Sequence, residues 1–108
     1  MTAGKYDMTI EQGSSFTRVL TFASDYTMPT YARLLAVASS STVMDLKTTG
    51  TVNYLSMNTS AKTLTIVTTP TYTAALNFTE ADYQLEFTFA TGSEQRILEG
   101  VFTLSSQL

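Results

Sequence analysis

The sequence predicts an all-β fold, and three observations support this prediction. Apolar residues alternate with polar residues along most segments, so the period is two residues, as in a strand. Thr and Ser fill most of the polar positions, which suits strands with one face in water. Only two Pro and five Gly interrupt the 108 residues. At this length we expect a single domain with one hydrophobic core, covering residues 1–108.

Seven segments alternate clearly enough to be predicted as short strands. The strongest is 82–89, in which the odd-numbered residues are aromatic or Leu and the even-numbered residues are polar. The segment 16–22 places Arg18 on its apolar face, so the guanidinium must reach a sheet edge or find a partner. The other predicted strands are 5–10, 31–39, 52–57, 62–68 and 96–104.

Two segments need an additional argument. Residues 31–39 are rich in Ala and Leu and would also suit a short helix, although their length and context favour a strand. Residues 71–77 follow Thr69 and Pro70, which are typical of a helix start. We therefore expect one short helical turn there, crossing between two sheets.

Turn residues separate the predicted strands. Gly13 follows the first strand, the Asn-Thr-Ser sequence of 58–60 precedes the fifth, and 92–93 joins the last two. Gly100 lies inside the last strand and predicts a β-bulge.

Seven short strands at this spacing predict an antiparallel β-sandwich of the immunoglobulin-like type. Ala81, Tyr83 and Leu85 lie where immunoglobulin domains place a small residue, the corner Tyr and a core Cys. Tyr83 is therefore either a tyrosine corner, whose hydroxyl bonds to upstream backbone, or an ordinary core residue. A small barrel is the structural alternative. The first and last predicted strands are expected to form sheet edges.

The composition argues against several classes of function. Cys and His are both absent, which removes disulfides, thiol nucleophiles, imidazole bases and the usual zinc ligands. The net charge is −3 and the six basic residues are scattered, so we expect no nucleic-acid ligand. The longest apolar run, 34–38, is far too short for a membrane span, and the first residues do not resemble a signal peptide.

No motif for catalysis or cofactor binding is found. The sequence contains no phosphate-binding loop, no dinucleotide-binding glycine pattern and no Gly-x-Ser-x-Gly elbow. Asp82 and Glu86 lie on one strand face and are formal candidates for a glycosidase carboxylate pair, but this pattern is more typical of the wet side of a sheet. We predict no catalytic residue, no metal site, no cofactor and no small-molecule substrate.

Protein–protein contact is the class that these exclusions leave, and eight residues are candidates for it. Four of them are Tyr residues near predicted loops or edges, which would either anchor a partner or cover the ends of the core. The others lie in the first strand, the turn after it and the last strand. The eight candidates are Tyr6, Glu11, Gln12, Tyr26, Tyr31, Tyr54, Tyr72 and Arg96.

Both ends of the sequence carry longer patterns. The opening, 5–18, reads KYDMTIEQGSSFTR, a strand followed by an Ile-Glu-Gln-Gly turn and an aromatic strand. The second half contains, in order, LTI at 64–66, TAAL at 73–76, YQLEF at 83–87 and RILEGVFTL at 96–104. These segments resemble a group of small bacteriophage virion proteins, whereas residues 24–58 depart from them in detail.

The resemblance implies an immunoglobulin-like fold and a virion setting. The group is similar in plan to the N-terminal domain of siphophage upper baseplate proteins, which attaches a receptor-binding assembly to the tail. The resemblance implies a structural protein that is assembled into virions in the host cytoplasm. Its partners would be other virion proteins in a symmetric multi-copy assembly. We expect an attachment or adaptor module of the baseplate or a tail fibre. The alternatives are a capsid decoration protein on the head and a carbohydrate-binding module, which the absence of Trp weakens.

Overall fold

The computed structural model describes residues 4–106, which form nine strands and one short helix. The strands are β1 (Gly4–Lys5), β2 (Met8–Glu11), β3 (Phe16–Thr21), β4 (Tyr31–Ala38), β5 (Ser41–Lys47), β6 (Tyr54–Asn58), β7 (Thr63–Thr68), β8 (Glu80–Thr88) and β9 (Glu94–Ser105). The helix α1 comprises Pro70–Ala74, and the Thr69 side chain caps it by accepting a hydrogen bond from the backbone N–H of Tyr72. The predicted all-β fold with one helical turn is confirmed.

The strands form two sheets that pack as a sandwich. The larger sheet has the order β1-β9-β8-β4-β5, with β2 also paired to β9, and the smaller sheet has the order β3-β7-β6. All pairs are antiparallel except those of β1 and β2 with β9, which are parallel. This is the plan of an immunoglobulin-like sandwich, so the predicted fold class is confirmed and the barrel alternative is not.

Alternate residues of the strands form the core between the sheets. Ala81, Tyr83, Leu85 and Phe87 of β8 are all buried, as the alternation predicts. The ring of Phe102 from β9 lies 4.6 Å from that of Tyr83, centroid to centroid. Burial of these apolar surfaces is the main contribution to the free energy of folding. The most deeply buried partners from the smaller sheet are Leu55, Leu64 and Ile66.

The sequence analysis missed one strand. Ser41–Lys47 forms β5, in which Met44 and Leu46 are buried. The polar start of this strand and its two charged residues obscure the alternation, and only pairing with β4 makes its inner face evident. The prediction that Val52 begins the next strand was also wrong, because β6 begins at Tyr54 and Val52 is exposed.

Two predictions about the last strand were wrong. Strand β9 is not an edge, because it pairs with β8 on one side and with β1 and β2 on the other. The bulge is not at Gly100, which pairs regularly with Tyr83; the register shifts between Leu85 and Glu86 instead. The first predicted strand is an edge, as expected, but it is divided into β1 and β2.

The break between β1 and β2 explains why residue 100 is Gly. The carbonyl group of Tyr6 approaches β9 so closely that a Cβ atom at Gly100 would overlap it. The Tyr83 hydroxyl donates a hydrogen bond to this carbonyl, and the Asp7 carboxylate accepts one from the backbone N–H of Val101 at 2.9 Å. These contacts hold the N-terminal strands on β9.

Tyr83 therefore differs from the predicted tyrosine corner in its acceptor. The hydroxyl does bond to upstream backbone, but the acceptor lies 77 residues earlier in the chain and not in the adjoining turn. Burial raises the pKa of Tyr83 to about 12, and the negative charge of Asp7 acts in the same direction. The Tyr83 hydroxyl therefore stays neutral at physiological pH and can donate its hydrogen bond to the Tyr6 carbonyl oxygen.

We predict that Gly100→Ala separates the N-terminal strands from β9. The added methyl group overlaps the Tyr6 carbonyl, and overpacking of this kind costs about 1–3 kcal/mol of unfolding free energy. Urea unfolding measures the loss. Gly4→Ala is the matched control, because its Cβ meets the movable end of the Leu98 side chain at 3.2 Å and the Ile97 carbonyl oxygen at 3.7 Å, an ordinary van der Waals distance. Equal stability of the two variants would contradict this account.

We predict that Tyr83→Phe lowers the unfolding free energy by about 1–2 kcal/mol, because the Tyr6 carbonyl loses its donor. Tyr54→Phe serves as the control, since the Tyr54 hydroxyl has no hydrogen-bond partner within residues 4–106. Thermal unfolding of both variants at neutral pH measures the difference. A loss of stability in the control as large as that in the Tyr83 variant would assign the effect to packing alone.

Candidate functional site

The eight candidate residues do not converge on one site. Tyr6 lies at the break between β1 and β2, and Glu11 and Gln12 lie at the turn after β2. The remaining five are distributed between both sheets, the loop before β4 and the helix. Their positions are best described by what each of them contacts.

The Ile-Glu-Gln-Gly turn binds the helix of its own chain. The Gln12 side chain donates hydrogen bonds to the carbonyl oxygens of Leu76, at 3.0 Å, and of Ala74, at 3.3 Å. The backbone N–H of Gly13, whose φ of 86° favours glycine, donates to the Thr73 hydroxyl at 3.1 Å. Gln12 therefore fixes the turn against α1, while Glu11 at the end of β2 is exposed.

Tyr26 and Tyr72 cover parts of the core. The ring of Tyr26 stacks on that of Phe22, with centroids 5.2 Å apart. Tyr72 projects from α1, and burial raises its pKa, while a hydrogen bond from the Asp45 backbone opposes this shift. These contacts agree with the interpretation that the two Tyr residues close the core, and both side chains are only partly accessible to a partner.

Four candidates lie at the surface. Tyr6 is 38% exposed. Tyr31 and Tyr54 are the first residues of β4 and β6 and are partly exposed. Arg96 is exposed in β9, and its guanidinium lies 3.7 Å from the Glu99 carboxylate. Whether any of them binds a partner stays a prediction.

The outer face of the larger sheet is charged. Arg33 donates two hydrogen bonds of 2.9 Å to the Asp45 carboxylate, and Lys47 lies 3.9 Å from the same group. The Arg33 hydrogen bond holds the pKa of Asp45 below its ordinary value of 3.8, although partial burial opposes this effect. The other charged residues that the register places on this face include Lys5, Glu80, Asp82, Glu86, Glu94, Arg96 and Glu99.

The outer face of the smaller sheet carries no charged side chain in its three strands. Strand registers place on it the residues that alternate with the core positions. Depletion of charge is typical of the centre of a protein interface. The sequence analysis could not find this face, because it is assembled from three separate segments. Its residues are Thr17, Val19, Thr21, Tyr54, Ser56, Asn58, Thr63, Thr65 and Val67.

Arg18 lies at the open edge of β3, as predicted for a guanidinium on an apolar face. It donates a hydrogen bond to the Tyr6 hydroxyl and lies 5.6 Å from the centroid of the Tyr6 ring and 5.8 Å from that of Phe16. None of the ion pairs formed within residues 4–106 includes Arg18. Beside it, between β2 and β3, is a cavity of 210 Å³.

Residues 4–106 contain neither a cluster of metal-ligating side chains nor a helix that could span a membrane. No three His, Cys, Asp or Glu residues of this range lie in an arrangement that would hold a metal ion. In the same range, no helix combines the length and the apolar character that spanning a bilayer requires. Every buried side-chain nitrogen or oxygen there has a hydrogen-bond partner.

No family model matches the chain, and no curated protein matches its sequence. A solved structure that is similar is the extracellular domain of mouse leukocyte-associated immunoglobulin-like receptor 1, described as a strand-swapped dimer. The TM-score is 0.51 at 14% sequence identity, over 92% of this chain and 87% of that chain. The fold is immunoglobulin-like. At this identity, the likeness concerns the fold alone.

We predict that Arg33→Gln lowers stability at neutral pH and that its difference from the wild type disappears in acid. Because the folded pKa of Asp45 is lowered, this contribution is present above the unfolded value near 3.8 and is lost as the pH falls through the folded value. Urea unfolding at pH 7 and at pH 2 compares the two proteins. Arg96→Gln is the control, since its single contact at 3.7 Å should contribute less. A difference that persists unchanged at pH 2 would contradict the prediction.

Proposed function

We propose that this chain is a non-enzymatic structural protein of a bacteriophage virion and serves as an attachment or adaptor module of the baseplate or a tail fibre. It acts through contacts with other virion proteins in a symmetric, multi-copy assembly. The observation that carries the proposal is the way in which the segments that resemble virion proteins meet in space.

The first meeting point is at α1. The Gln12–Gly13 turn of the opening segment binds the TAAL segment through the Thr73 hydroxyl and the carbonyl groups of Ala74 and Leu76. More than 50 residues separate the two segments in the chain. A resemblance that covers both sides of one long-range contact is expected of a shared fold plan and supports membership of the group.

The second meeting point is at the N-terminal strands. Tyr6, Tyr83 and Gly100 belong to three different segments of the resemblance and meet at the same carbonyl group. The three residues fit one another, because Gly100 leaves space for the Tyr6 carbonyl group and the Tyr83 hydroxyl donates a hydrogen bond to it. This agreement supports the resemblance on physical grounds.

The surface suits a role in assembly. The smaller sheet offers an uncharged outer face, and the ends of both sheets have open strand edges. A compact domain can be repeated around a symmetry axis if each copy uses such a surface to contact its neighbour. The eight candidate residues are dispersed, which agrees better with contact surfaces than with a reaction centre.

We predict that the protein is found on the tail of purified virions in few copies, arranged as a ring. Image reconstruction of intact particles measures both position and copy number, and separation of heads from tails followed by mass spectrometry provides an independent check. An array over the head lattice would instead make the protein a capsid decoration protein. Absence from purified particles would contradict the virion assignment altogether.

A further inference from the structure

We propose that the open edge of β3 binds an extended segment of a neighbouring protein, which joins the smaller sheet as a fourth strand and places an acidic side chain beside Arg18. The inference rests on the proposed function in taking that neighbour to be another virion protein. It names the contact surface and the chemistry of the partner, neither of which the proposed function specifies.

The hydrogen bonds of β3 determine which backbone groups face outward. The backbone N–H of Phe22 donates to the Lys62 carbonyl oxygen at 2.8 Å, and the N–H of Phe16 donates to the Thr68 hydroxyl at 3.2 Å. Even-numbered residues therefore bond towards β7. In an antiparallel pair the direction alternates, so the N–H and C=O groups of the odd-numbered residues point away from the sheet. These residues are Thr17, Val19 and Thr21.

The edge is open because the chain's own first strand lies elsewhere. Strands β1 and β2 pair with β9 in the larger sheet, so no strand within residues 4–106 pairs with the outer side of β3. A cavity of 210 Å³ lies in the space between β2 and β3. An unpaired row of backbone donors and acceptors beside a cavity is suited to β-strand addition. The cavity is lined by Thr9, Glu11, Ser15, Phe16, Thr17 and Arg18.

Arg18 determines the charge of the partner. Its guanidinium is held by the Tyr6 hydroxyl and by the rings of Tyr6 and Phe16, and it takes part in none of the ion pairs of residues 4–106. Glu11, at the end of β2, also lines the cavity but forms no ion pair with Arg18. A carboxylate on an added strand would therefore complete the hydrogen bonds of Arg18.

The open edges of β5 and β6 are less suitable. On β5, Asp45 is already paired with both Arg33 and Lys47, and its backbone bonds to Tyr72. Strand β6 contains no charged residue, so it offers no charge by which a partner could be selected. Of the edges of β3, β5 and β6, β3 alone combines outward backbone groups with a cation that lacks an ion pair in the described chain. On β1, at the remaining edge, Lys5 is already paired with Glu99 at 3.1 Å.

Two peptides test the proposal on the free protein. The probes are Thr-Val-Thr-Glu-Thr-Val-Thr and the same peptide with Lys in place of Glu. We expect the Glu peptide to bind about tenfold more tightly, since a hydrogen bond to a charged group contributes on that scale. Binding should slow amide hydrogen exchange at Thr17, Val19 and Thr21. Equal affinity for the two peptides, or protection confined to another strand, would overturn the proposal.

Variants distinguish the contribution of the β3 backbone hydrogen bonds to binding from that of the Arg18 charge. Val19→Pro removes one outward N–H without removing a bond to β7 and should abolish binding, whereas Val19→Thr keeps the N–H and should bind normally. Arg18→Glu should reverse the preference and favour the Lys peptide, which a structural role for Arg18 alone would not produce. If Val19→Pro fails to fold, the Arg18 variant decides; retained preference for the Glu peptide in that variant would overturn the proposal.

The particle itself distinguishes this inference from the proposed function. If the protein is in the virion, exchange at Thr17, Val19 and Thr21 should be slower in the particle than in the free protein. Unchanged exchange at these amides in a particle that contains the protein would overturn the inference and leave the proposed function standing. Absence of the protein from the particle, together with selective binding of the Glu peptide, would overturn the proposed function and leave the strand-addition inference standing.

Discussion

The arrangement of the whole domain depends on how the N-terminal segment is held on β9. The Tyr6 carbonyl lies against Gly100 and accepts a hydrogen bond from the buried Tyr83 hydroxyl. This contact sets the parallel pairing of β1 and β2 with β9. Because the first strand pairs within the larger sheet, the outer side of β3 stays open. The open edge of the smaller sheet therefore follows from a partly buried hydrogen bond in the larger sheet.

The two outer faces of the sandwich differ in a way that suits assembly. Charged side chains lie on the larger sheet, where Arg33 and Lys47 both pair with Asp45, while the smaller sheet presents mainly hydroxyl and aliphatic groups. Burying an uncharged face costs little desolvation, whereas burying charges requires paired partners. The smaller sheet and its β3 edge are therefore the surface on which a neighbouring protein is most easily accommodated.

Local patterns in the sequence were sufficient for much of the fold, and long-range contacts account for what they missed. The alternation in 82–89 and the Thr69-Pro70 helix start correctly predicted β8 and α1, because each depends on neighbouring residues. The sequence also predicted that Arg18 reaches an edge or finds a partner, but not that the edge of β3 lacks a neighbouring strand, since this depends on a pairing with β9. Gly100 was read as a bulge because its function, admitting a carbonyl group from residue 6, leaves no local signal.

Amide hydrogen exchange on the free protein, resolved by residue, tests the central claim most directly. The account predicts alternating protection in β3, with slow exchange at Arg18 and Leu20 and fast exchange at Thr17, Val19 and Thr21, together with a protected Tyr6 amide, which donates to the Glu99 carbonyl oxygen at 3.0 Å. Uniform protection along β3 would show that a strand pairs with its outer side, and fast exchange at Tyr6 would show that the first strand is not held on β9. Either result would contradict the account.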